Sequence, residues 1–332
     1  MAISDYIGDG YQLYGARRYS LTEGKAKGME FIHIKNGIGL ELDISLNRCG
    51  DISSLSYKGV NLSYLSSCGC VASSYYDPKG LGFLKSFTAG FLTTCGLTTF
   101  GTPSFDGEEL PLHGTISNTP VSNSSYEVLG NTIVIKTLTK DETIFSHKLT
   151  LSREITLDLK RNAFKIHDYV ENRGDLLTPL MILYHMNLGY PLLDEDLCVY
   201  INKESVKGRT EQASETIASA LTMEKPQRGY IERCYYYEMK KNAFACVYNK
   251  KLGFGLKISY DKTSLPSFTE WKMMGVRDYV LGLEPGTNFP DGRAEVKKQG
   301  KLEYLQPGES KDFEIAVEMI ENQETYQKFI KE

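Results

Sequence analysis

The sequence predicts an all-β protein, a sandwich or barrel of mostly antiparallel strands with few short helices. Most segments alternate apolar and polar residues with a period of two and are rich in β-branched and aromatic residues, which is typical of strands. Glycine, asparagine and proline mark turns between these segments. Helical periodicity is scarce. Consecutive strands with so few helices favour one large antiparallel fold, because all-β domains do reach this size.

The strand pattern is clearest at 38–45, 131–140, 148–157, 163–171, 180–188, 244–259, 279–284 and 313–319. Turn signals lie at 172–175, 249–253 and 306–309. Outside short connections, one segment predicts a helix, the charged tail at 323–331, which we expect on the surface.

The chain has 332 residues, of which 41% are hydrophobic, enough to bury a large core. No internal repeat, low-complexity tract or proline- and serine-rich linker divides it. We therefore predict a single domain over residues 1–332, with a core at about 30–320, an N-terminal arm at 1–29 and a C-terminal tail at 321–332.

Charge and hydropathy exclude several classes of partner. The formal net charge is −4, and the basic residues are spread without blocks, so we expect no nucleic-acid partner. The first twenty residues contain Asp5, Asp9, Arg17 and Arg18 and no continuous apolar run, so no secretory signal is predicted. No stretch has the length and hydropathy of a membrane span. We expect a cytoplasmic protein with no membrane partner.

The spacing of the cysteines and glycines argues against a zinc site and a dinucleotide-binding loop. Seven cysteines at irregular spacings are typical of reduced intracellular thiols. Cys68 and Cys70 are too close together and too isolated for a zinc site. Gly80 and Gly82 lack the third glycine and the following helix of a dinucleotide-binding loop. We therefore expect no cofactor and no metal.

His185 is the most informative residue, because it lies in an apolar strand, 180–188, whose other polar side chain is Asn187. Alternate residues of a strand share a face, so His185 and Asn187 point the same way and Tyr184 points the other way. An imidazole beside a carboxamide on a rigid wall suits proton transfer to a polar ligand. The alternative is a core histidine satisfied by a backbone carbonyl, since buried polar groups are usually paired.

Glu284 ends a second apolar strand at a proline and glycine turn. A histidine and a glutamate at strand ends form a possible acid/base pair. His113 follows a proline-started turn and precedes Gly114, which permits close approach of a ligand; the alternative is a loop histidine that caps a backbone carbonyl. The remaining histidines are interpreted as structural or exposed: His33, His147 and His167.

Six stretches occur in a characteristic order and spacing: NRCGDI at 47–52, FLTTCGL at 91–97, LHG at 112–114, LYHMNLGYPLL at 183–193, LEPGTNFPD at 283–291 and LQPGES at 305–310. On these stretches the chain resembles the aldose 1-epimerase (galactose mutarotase-like) superfamily. It is most similar to a bacterial branch of uncharacterised aldose 1-epimerase-like proteins of the DUF4432 type. The likeness spans roughly residues 38 to 320.

The resemblance implies a β-supersandwich with a sugar site in a shallow cup on one sheet, and an enzyme that interconverts sugar anomers. It implies His185 as the general acid on the ring oxygen and Glu284 as the general base on the anomeric hydroxyl. His113 matches a second histidine that binds the sugar. Arg48 is the candidate for the arginine that holds a hydroxyl or the ring oxygen, and Asn187 is a further substrate-binding candidate.

The sequence departs from the family pattern in two places. The family's sugar-binding aspartate has no clear counterpart, and Lys272 and Arg277 occupy that region instead. Thr115 stands where the closer branch often has arginine. Together with Arg48, the two basic residues favour considering an anionic sugar, because such groups bind anions well. The alternative is that Lys272 and Arg277 are surface charges.

The implied chemistry needs one acid and one base. Anomers interconvert when a proton leaves the anomeric hydroxyl and another reaches the ring oxygen, so that the ring opens and recloses. An imidazole can donate near neutrality, and burial can raise the basicity of a carboxylate. The expected partner is a small sugar, and the protein is expected to be a monomer or homodimer. Two alternatives are a non-catalytic carbohydrate binder on the same fold and a divalent metal site formed by His113, His185 and Glu284.

Overall fold

The computed structural model describes residues 3–331 and confirms the predicted all-β class. The strands are β1 (Gly15–Ser20), β2 (Glu30–Lys35), β3 (Leu40–Ser45), β4 (Asp51–Tyr57), β5 (Val60–Asn61), β6 (Tyr64–Leu65), β7 (Ala89–Gly90), β8 (Leu92–Leu97), β9 (Ser104–Phe105), β10 (Glu109–Leu110), β11 (Val121–Leu129), β12 (Thr132–Glu142), β13 (Lys148–Asp158), β14 (Ala163–Asn172), β15 (Thr178–Leu188), β16 (Leu197–Ile201), β17 (Lys203–Gly208), β18 (Arg233–Met239), β19 (Phe244–Asn249), β20 (Phe254–Tyr260), β21 (Ser267–Met274), β22 (Tyr279–Gly286), β23 (Glu303–Leu305) and β24 (Ser310–Ile320).

Helices are short and lie between strands or at the C-terminus. The α-helices are α1 (Glu211–Glu215), α2 (Arg293–Lys298) and α3 (Gln323–Phe329). Single turns of 3-10 helix occur at Ile3–Tyr6, Gly10–Gln12, Gly24–Ala26, Ser73–Tyr75, Gly82–Lys85, Ile116–Asn118 and Ile217–Ser219. Helix α3 confirms the predicted terminal helix, and no helix of the described residues is long and apolar enough to cross a membrane.

Two large antiparallel sheets dominate the fold. The eight-stranded sheet has the order β11-β12-β13-β14-β24-β20-β19-β16, and the seven-stranded sheet has the order β17-β18-β21-β22-β15-β23, with β8 also paired to β15. A five-stranded sheet runs β1-β2-β3-β4-β5, and two-stranded pairs form between β9 and β10 and between β6 and β7. All the strand pairings between named strands are antiparallel, as the sequence predicts.

The main apolar core lies between the large sheets. The alternating side chains of β15 show which face of this strand contributes to it. Ile182, Tyr184 and Met186 belong to the main apolar core, whereas Met181 and Leu183 pack in a smaller cluster on the other face. The face opposite Tyr184 also carries His185. The period-two pattern of the sequence therefore predicts correctly which side chains of this strand face away from the main core.

A buried ionic network supports β15 from behind. Arg153 is fully buried and donates to both carboxylate oxygens of Asp168, from Nε at 2.8 Å and Nη2 at 2.6 Å. Its Nη1 donates to Asp51 at 2.9 Å. The Tyr184 hydroxyl donates to Asp168 at 2.8 Å. Because every charged group here is paired, the network can be buried without leaving a lone charge, and it anchors the strand that carries His185.

The remaining histidines lie away from this face. His33 on β2 is 3.0 Å from Asp43 (Nδ1 to Oδ1), and the exposed His167 on β14 is 2.7 Å from Asp312 (Nε2 to Oδ1). His147 is partly buried, with Nε2 3.6 Å from Asp141 Oδ1. Each of the three has a carboxylate neighbour on its own part of the surface, which agrees with their interpretation as structural or exposed.

Candidate active site

A cavity of about 330 Å³ opens on the seven-stranded sheet. Its floor consists of side chains from β15, β18, β21 and β22. Its walls come from the segment before β7, from the loops that follow β8, β10 and β22, and from the connection between β17 and β18. The volume lies at the lower end of the ~300–1,000 Å³ typical of small-molecule sites. The lining residues are Leu81, Phe83, Leu84, Phe87, Gly101, Thr102, Pro103, Leu112, His113, His185, Arg209, Glu232, Cys234, Thr269, Trp271, Glu284 and Pro290.

His185 and Glu284 meet at the floor because of the register of β15 and β22. Met186 pairs with Leu283 in this antiparallel ladder, so the adjacent residues His185 and Glu284 lie side by side. His185 Nε2 is 3.2 Å from Glu284 Oε1, and both side chains are buried. The contact does not have hydrogen-bond geometry, since Glu284 Oε1 has no hydrogen-bond partner among the described residues. Glu284 Oε1 is therefore a buried oxygen without a hydrogen-bond donor in the described part of the chain.

Burial changes the protonation of this pair. Burial, together with the nearby His113, lowers the pKa of His185 to about 3, and Asn187 offsets part of this shift. Burial raises the pKa of Glu284 well above its usual value, and the nearby Glu232 acts in the same direction. The sequence predicts an imidazole that titrates near neutrality. Because burial disfavours the charged form of both groups, the structure instead favours a neutral imidazole beside a protonated carboxyl.

Gly282 provides the space that the Glu284 carboxylate occupies. A Cβ at Gly282 would lie 2.4 Å from Glu284 Oε1 and 3.0 Å from the Cβ of Trp271. Gly282 and Trp271 are register partners on β22 and β21. A side chain at position 282 would therefore push against the carboxylate, and glycine is the residue that lets Glu284 lie over its own strand.

His113 enters the cavity from a loop with an unusual backbone. His113 has φ +59° and Gly114 has φ +74°, a left-handed conformation that is uncommon for a non-glycine residue. A Cβ at Gly114 would lie 2.2 Å from the carbonyl oxygen of Gly96. The glycine thus permits the close approach of a neighbouring backbone, where the sequence predicts close approach of a ligand. It lets the loop pack on β8, which places the His113 ring 5.6 Å from the His185 ring (centroid to centroid).

Several residues that line this cavity have buried polar atoms without a hydrogen-bond partner within the described chain. Four lining residues each have a buried polar atom without a hydrogen-bond partner: His113 Nδ1, His185 Nδ1, Thr269 Oγ1 and Glu284 Oε1. Buried polar groups are normally paired, and each exception needs an explanation. A polar ligand in the cavity is one source of the missing partners. Among residues 3–331, no group of three or more His, Cys, Asp or Glu side chains is arranged to hold a metal ion.

Aromatic rings surround His185. The Phe87 ring lies 5.5 Å from the His185 ring and the Trp271 ring lies 5.2 Å from it (centroid distances), both edge-on. Phe83 packs against Phe87 at 5.1 Å. Glu232 Oε2 accepts a hydrogen bond of 2.6 Å from Trp271 Nε1. The imidazole is therefore held in orientation by packing, and this side of the cavity presents apolar surface to a ligand.

Arg209, Glu232 and Thr269 line the cavity but were not singled out from the sequence. Arg209 Nη2 donates to Thr102 Oγ1 at 2.5 Å and to the carbonyl of Pro290 at 3.4 Å. Arg209 and Glu232 are the two ends of the connection between β17 and β18. Since these strands pair antiparallel, both ends of the connection lie at the same end of the two strands. This topology could have identified Arg209 and Glu232 as neighbours.

Arg48 does not line the cavity. Its guanidinium is buried and donates to the carbonyls of Val71 at 2.7 Å, Ser86 at 2.7 Å and Ser117 at 3.2 Å. It also donates to Asn118 Oδ1 at 3.0 Å. The structure therefore gives Arg48 a role in holding these loops together, at the base of the segment that walls the cavity.

Lys272, Arg277 and Asn187 do not line the cavity either. Lys272 is fully buried on the opposite face of β21, where its Nζ donates to the carbonyls of Ser219 and Thr222 and lies 2.7 Å from Glu224 Oε2. Arg277 is exposed at the turn between β21 and β22. Asn187 is buried beside His185, and its Nδ2 donates to the His185 carbonyl at 2.9 Å. The structure brings together His185, Glu284 and His113, and it separates them from the three basic candidates.

The two-sheet architecture with a cavity on one sheet is the galactose mutarotase-like sandwich fold. A family model described as "Domain of unknown function (DUF4432)" matches residues 26–319. The chain therefore belongs to the DUF4432 family, as the sequence motifs predict.

Solved structures show the same fold. A protein from Klebsiella pneumoniae described as a "putative aldose 1-epimerase" superposes with a TM-score of 0.90 at 25% identity, covering 98% of this chain and 88% of its own. A galactose mutarotase-like protein from Clostridium acetobutylicum gives 0.66 at 15% identity, covering 93% and 99%. Galactose 1-epimerase from Lactobacillus acidophilus gives 0.63 at 14% identity, covering 93% and 100%. No curated protein matches the sequence.

Proposed function

We propose that this protein is an aldose 1-epimerase that interconverts the anomers of a free sugar, with His185 and Glu284 as its acid and base. The observation that carries the proposal is the contact between His185 Nε2 and Glu284 Oε1, 3.2 Å apart, at the floor of a cavity with four unpaired buried polar atoms. The similarity to the K. pneumoniae protein at 25% identity over 98% of the chain supports the same reaction class.

The proton transfers of the reaction balance with His185 and Glu284 alone. Glu284 takes the proton of the anomeric hydroxyl, the bond between C1 and the ring oxygen breaks, and His185 gives a proton to that oxygen. The product is the open-chain aldehyde, with the pair now a neutral imidazole and a protonated carboxyl. Rotation about the bond between C1 and C2 exposes the other carbonyl face, and the reverse transfers close the ring and restore the pair.

The effect of burial on the protonation of His185 and Glu284 is consistent with this cycle. The buried site favours the neutral pair, which has the same number of protons as an imidazolium beside a carboxylate. The transfer of one proton from Glu284 to His185 therefore produces the reactive form without exchange with solvent. A bound sugar promotes this transfer, because its hydroxyl stabilises the carboxylate and its ring oxygen accepts from the imidazolium.

Saturation-transfer NMR of anomer exchange, run near neutral pH across a panel of aldoses, tests the proposal. We expect acceleration for at least one sugar, and a loss of about 10²-fold to 10⁴-fold in kcat/KM for Glu284→Gln and for His185→Gln. The control is His167→Gln, because His167 is exposed on β14 and lies outside the cavity. Sugar binding without exchange would contradict the proposal and identify a non-catalytic carbohydrate binder.

A further inference from the structure

The two sides of the cavity differ in chemistry. Thr269 is the register partner of Glu284, and Arg209 and Glu232 lie close enough to Glu284 to shift its pKa. The Glu284 side is therefore rich in groups that bind hydroxyls. Next to His185, in contrast, the cavity wall is built from aromatic and aliphatic side chains around one further imidazole, that of His113.

The apolar side extends from His185 to the rim. Phe87 lies 5.5 Å from the His185 ring (centroid to centroid), and Phe83 continues this wall. Leu84 and Leu81 complete it at the mouth of the cavity, where they are 51% and 61% exposed. Large exposed leucines beside a cavity form an apolar surface that a ligand can cover.

The bonding of an aldose fixes which of its parts faces this wall. In the pyranose form of an aldohexose, the ring oxygen is bonded to C1 and to C5, and C6 is attached to C5. The group that protonates the ring oxygen is therefore close to C6, whereas the C1 and C2 hydroxyls extend toward the base. With His185 at the ring oxygen, C6 faces the apolar wall and the C2 hydroxyl faces Thr269, Arg209 and Glu232.

We propose that the preferred substrate is a 6-deoxyaldose, a sugar with a methyl group in place of the CH₂OH group. This inference rests on the proposed function and on His185 as the acid for the ring oxygen. A hydroxyl at C6 would lose its hydrogen bonds to water on entering the apolar side. A methyl group at the same place gains from the burial of apolar surface.

Matched sugar pairs that differ only at C6 test the inference: D-galactose with D-fucose, D-glucose with D-quinovose, and D-mannose with D-rhamnose. In anomer-exchange NMR, we expect kcat/KM to favour the deoxy sugar by about 10-fold to 100-fold, the range for one hydroxyl in an apolar pocket. Equal rates within every pair would overturn the inference and leave the proposed function intact. A preference for the parent sugars would also overturn it and would indicate that His113 Nδ1 binds the C6 hydroxyl. If no sugar is accelerated, the proposed function itself fails.

A substitution at the rim of the cavity tests the contribution of the apolar wall separately from that of the acid and base. Leu84→Gln places an amide on the apolar side, and we expect it to reduce the preference for the deoxy sugar by more than half. Leu65→Gln is the matched control, because Leu65 is 53% exposed and does not line the cavity; it keeps the wild-type ratio. A wild-type ratio in Leu84→Gln would place C6 away from this wall and would overturn the inference.

Discussion

Replacing His185 by glutamine is expected to make the protein more resistant to acid. The unfolded chain protonates this histidine with a pKa of about 6.5, whereas burial lowers the pKa in the folded protein to about 3. Between these values the unfolded state binds more protons, so stability is present above pH 6.5 and is lost as the pH falls. Because each pH unit is worth about 1.4 kcal/mol, lowering the pH from about 7.5 to 5 destabilises the wild type by about 2 kcal/mol through this residue.

Urea denaturation at both pH values measures this effect. The free energy of unfolding should fall by about 2 kcal/mol less in His185→Gln than in the wild type over this interval. His167→Gln is the control, since that histidine is 45% exposed beside Asp312, and it should keep the wild-type dependence to within about 0.5 kcal/mol. An identical pH dependence in His185→Gln and the wild type would show that His185 is charged, or exposed, in the folded protein, and would refute the burial argument.

Three further results are expected. Gly282→Ala should lower kcat by about 10²-fold with the fold retained by circular dichroism, because its Cβ would lie 2.4 Å from Glu284 Oε1 and displace the carboxylate; full activity would contradict the role of this glycine. Arg153→Met should lower the free energy of unfolding in urea by about 3–5 kcal/mol, because it leaves two buried aspartates without their partner, whereas the surface control Arg173→Met should change it by less than about 1 kcal/mol. In a pH profile, anomer exchange should remain on its plateau below pH 6.5, because the pKa of His185 is lowered; an acid limb near 6.5 would contradict a buried neutral imidazole.

The positions of residues could be predicted where they depend on neighbours in sequence or on the alternation along one strand. The alternation in β15 placed His185 on the face opposite Tyr184, and the structure agrees. The strand predicted at 244–259 is in fact two strands, β19 and β20, because its turn signal at 249–253 forms a tight reversal in which Gly253 donates to the carbonyl of Asn249 at 2.9 Å. Strand β1 lies in the segment that the sequence predicts as an N-terminal arm. Most of its residues are exposed, so no alternation of apolar and polar residues marks it as a strand, and it is defined by its pairing with β2.

The cationic candidates show why composition alone misplaces site residues. Arg48 and Lys272 are expected near solvent or a ligand, because charged side chains are seldom fully buried without a partner. Most of their partners are backbone carbonyls from distant loops, and no sequence pattern indicates such a carbonyl. Lys272 is also paired with Glu224, and Arg48 with the side chain of Asn118. The opposite holds for Arg209, which lines the cavity but belongs to no sequence motif. It reaches the cavity because the connection between β17 and β18 begins and ends at the same end of these two strands.

The unpaired atoms of the cavity connect the fold to its proposed activity. An unsatisfied buried polar group costs about 1–3 kcal/mol, and the cavity contains four, contributed by His113, His185, Thr269 and Glu284. Rigid strands hold three of these side chains, and the Arg153 network supports one of those strands from behind. The sheet therefore keeps the groups in place without a ligand, and a sugar that supplies their missing partners recovers the cost on binding. A site built in this way is least stable when it is empty, so a sugar that is a substrate should also raise the free energy of unfolding of the whole protein.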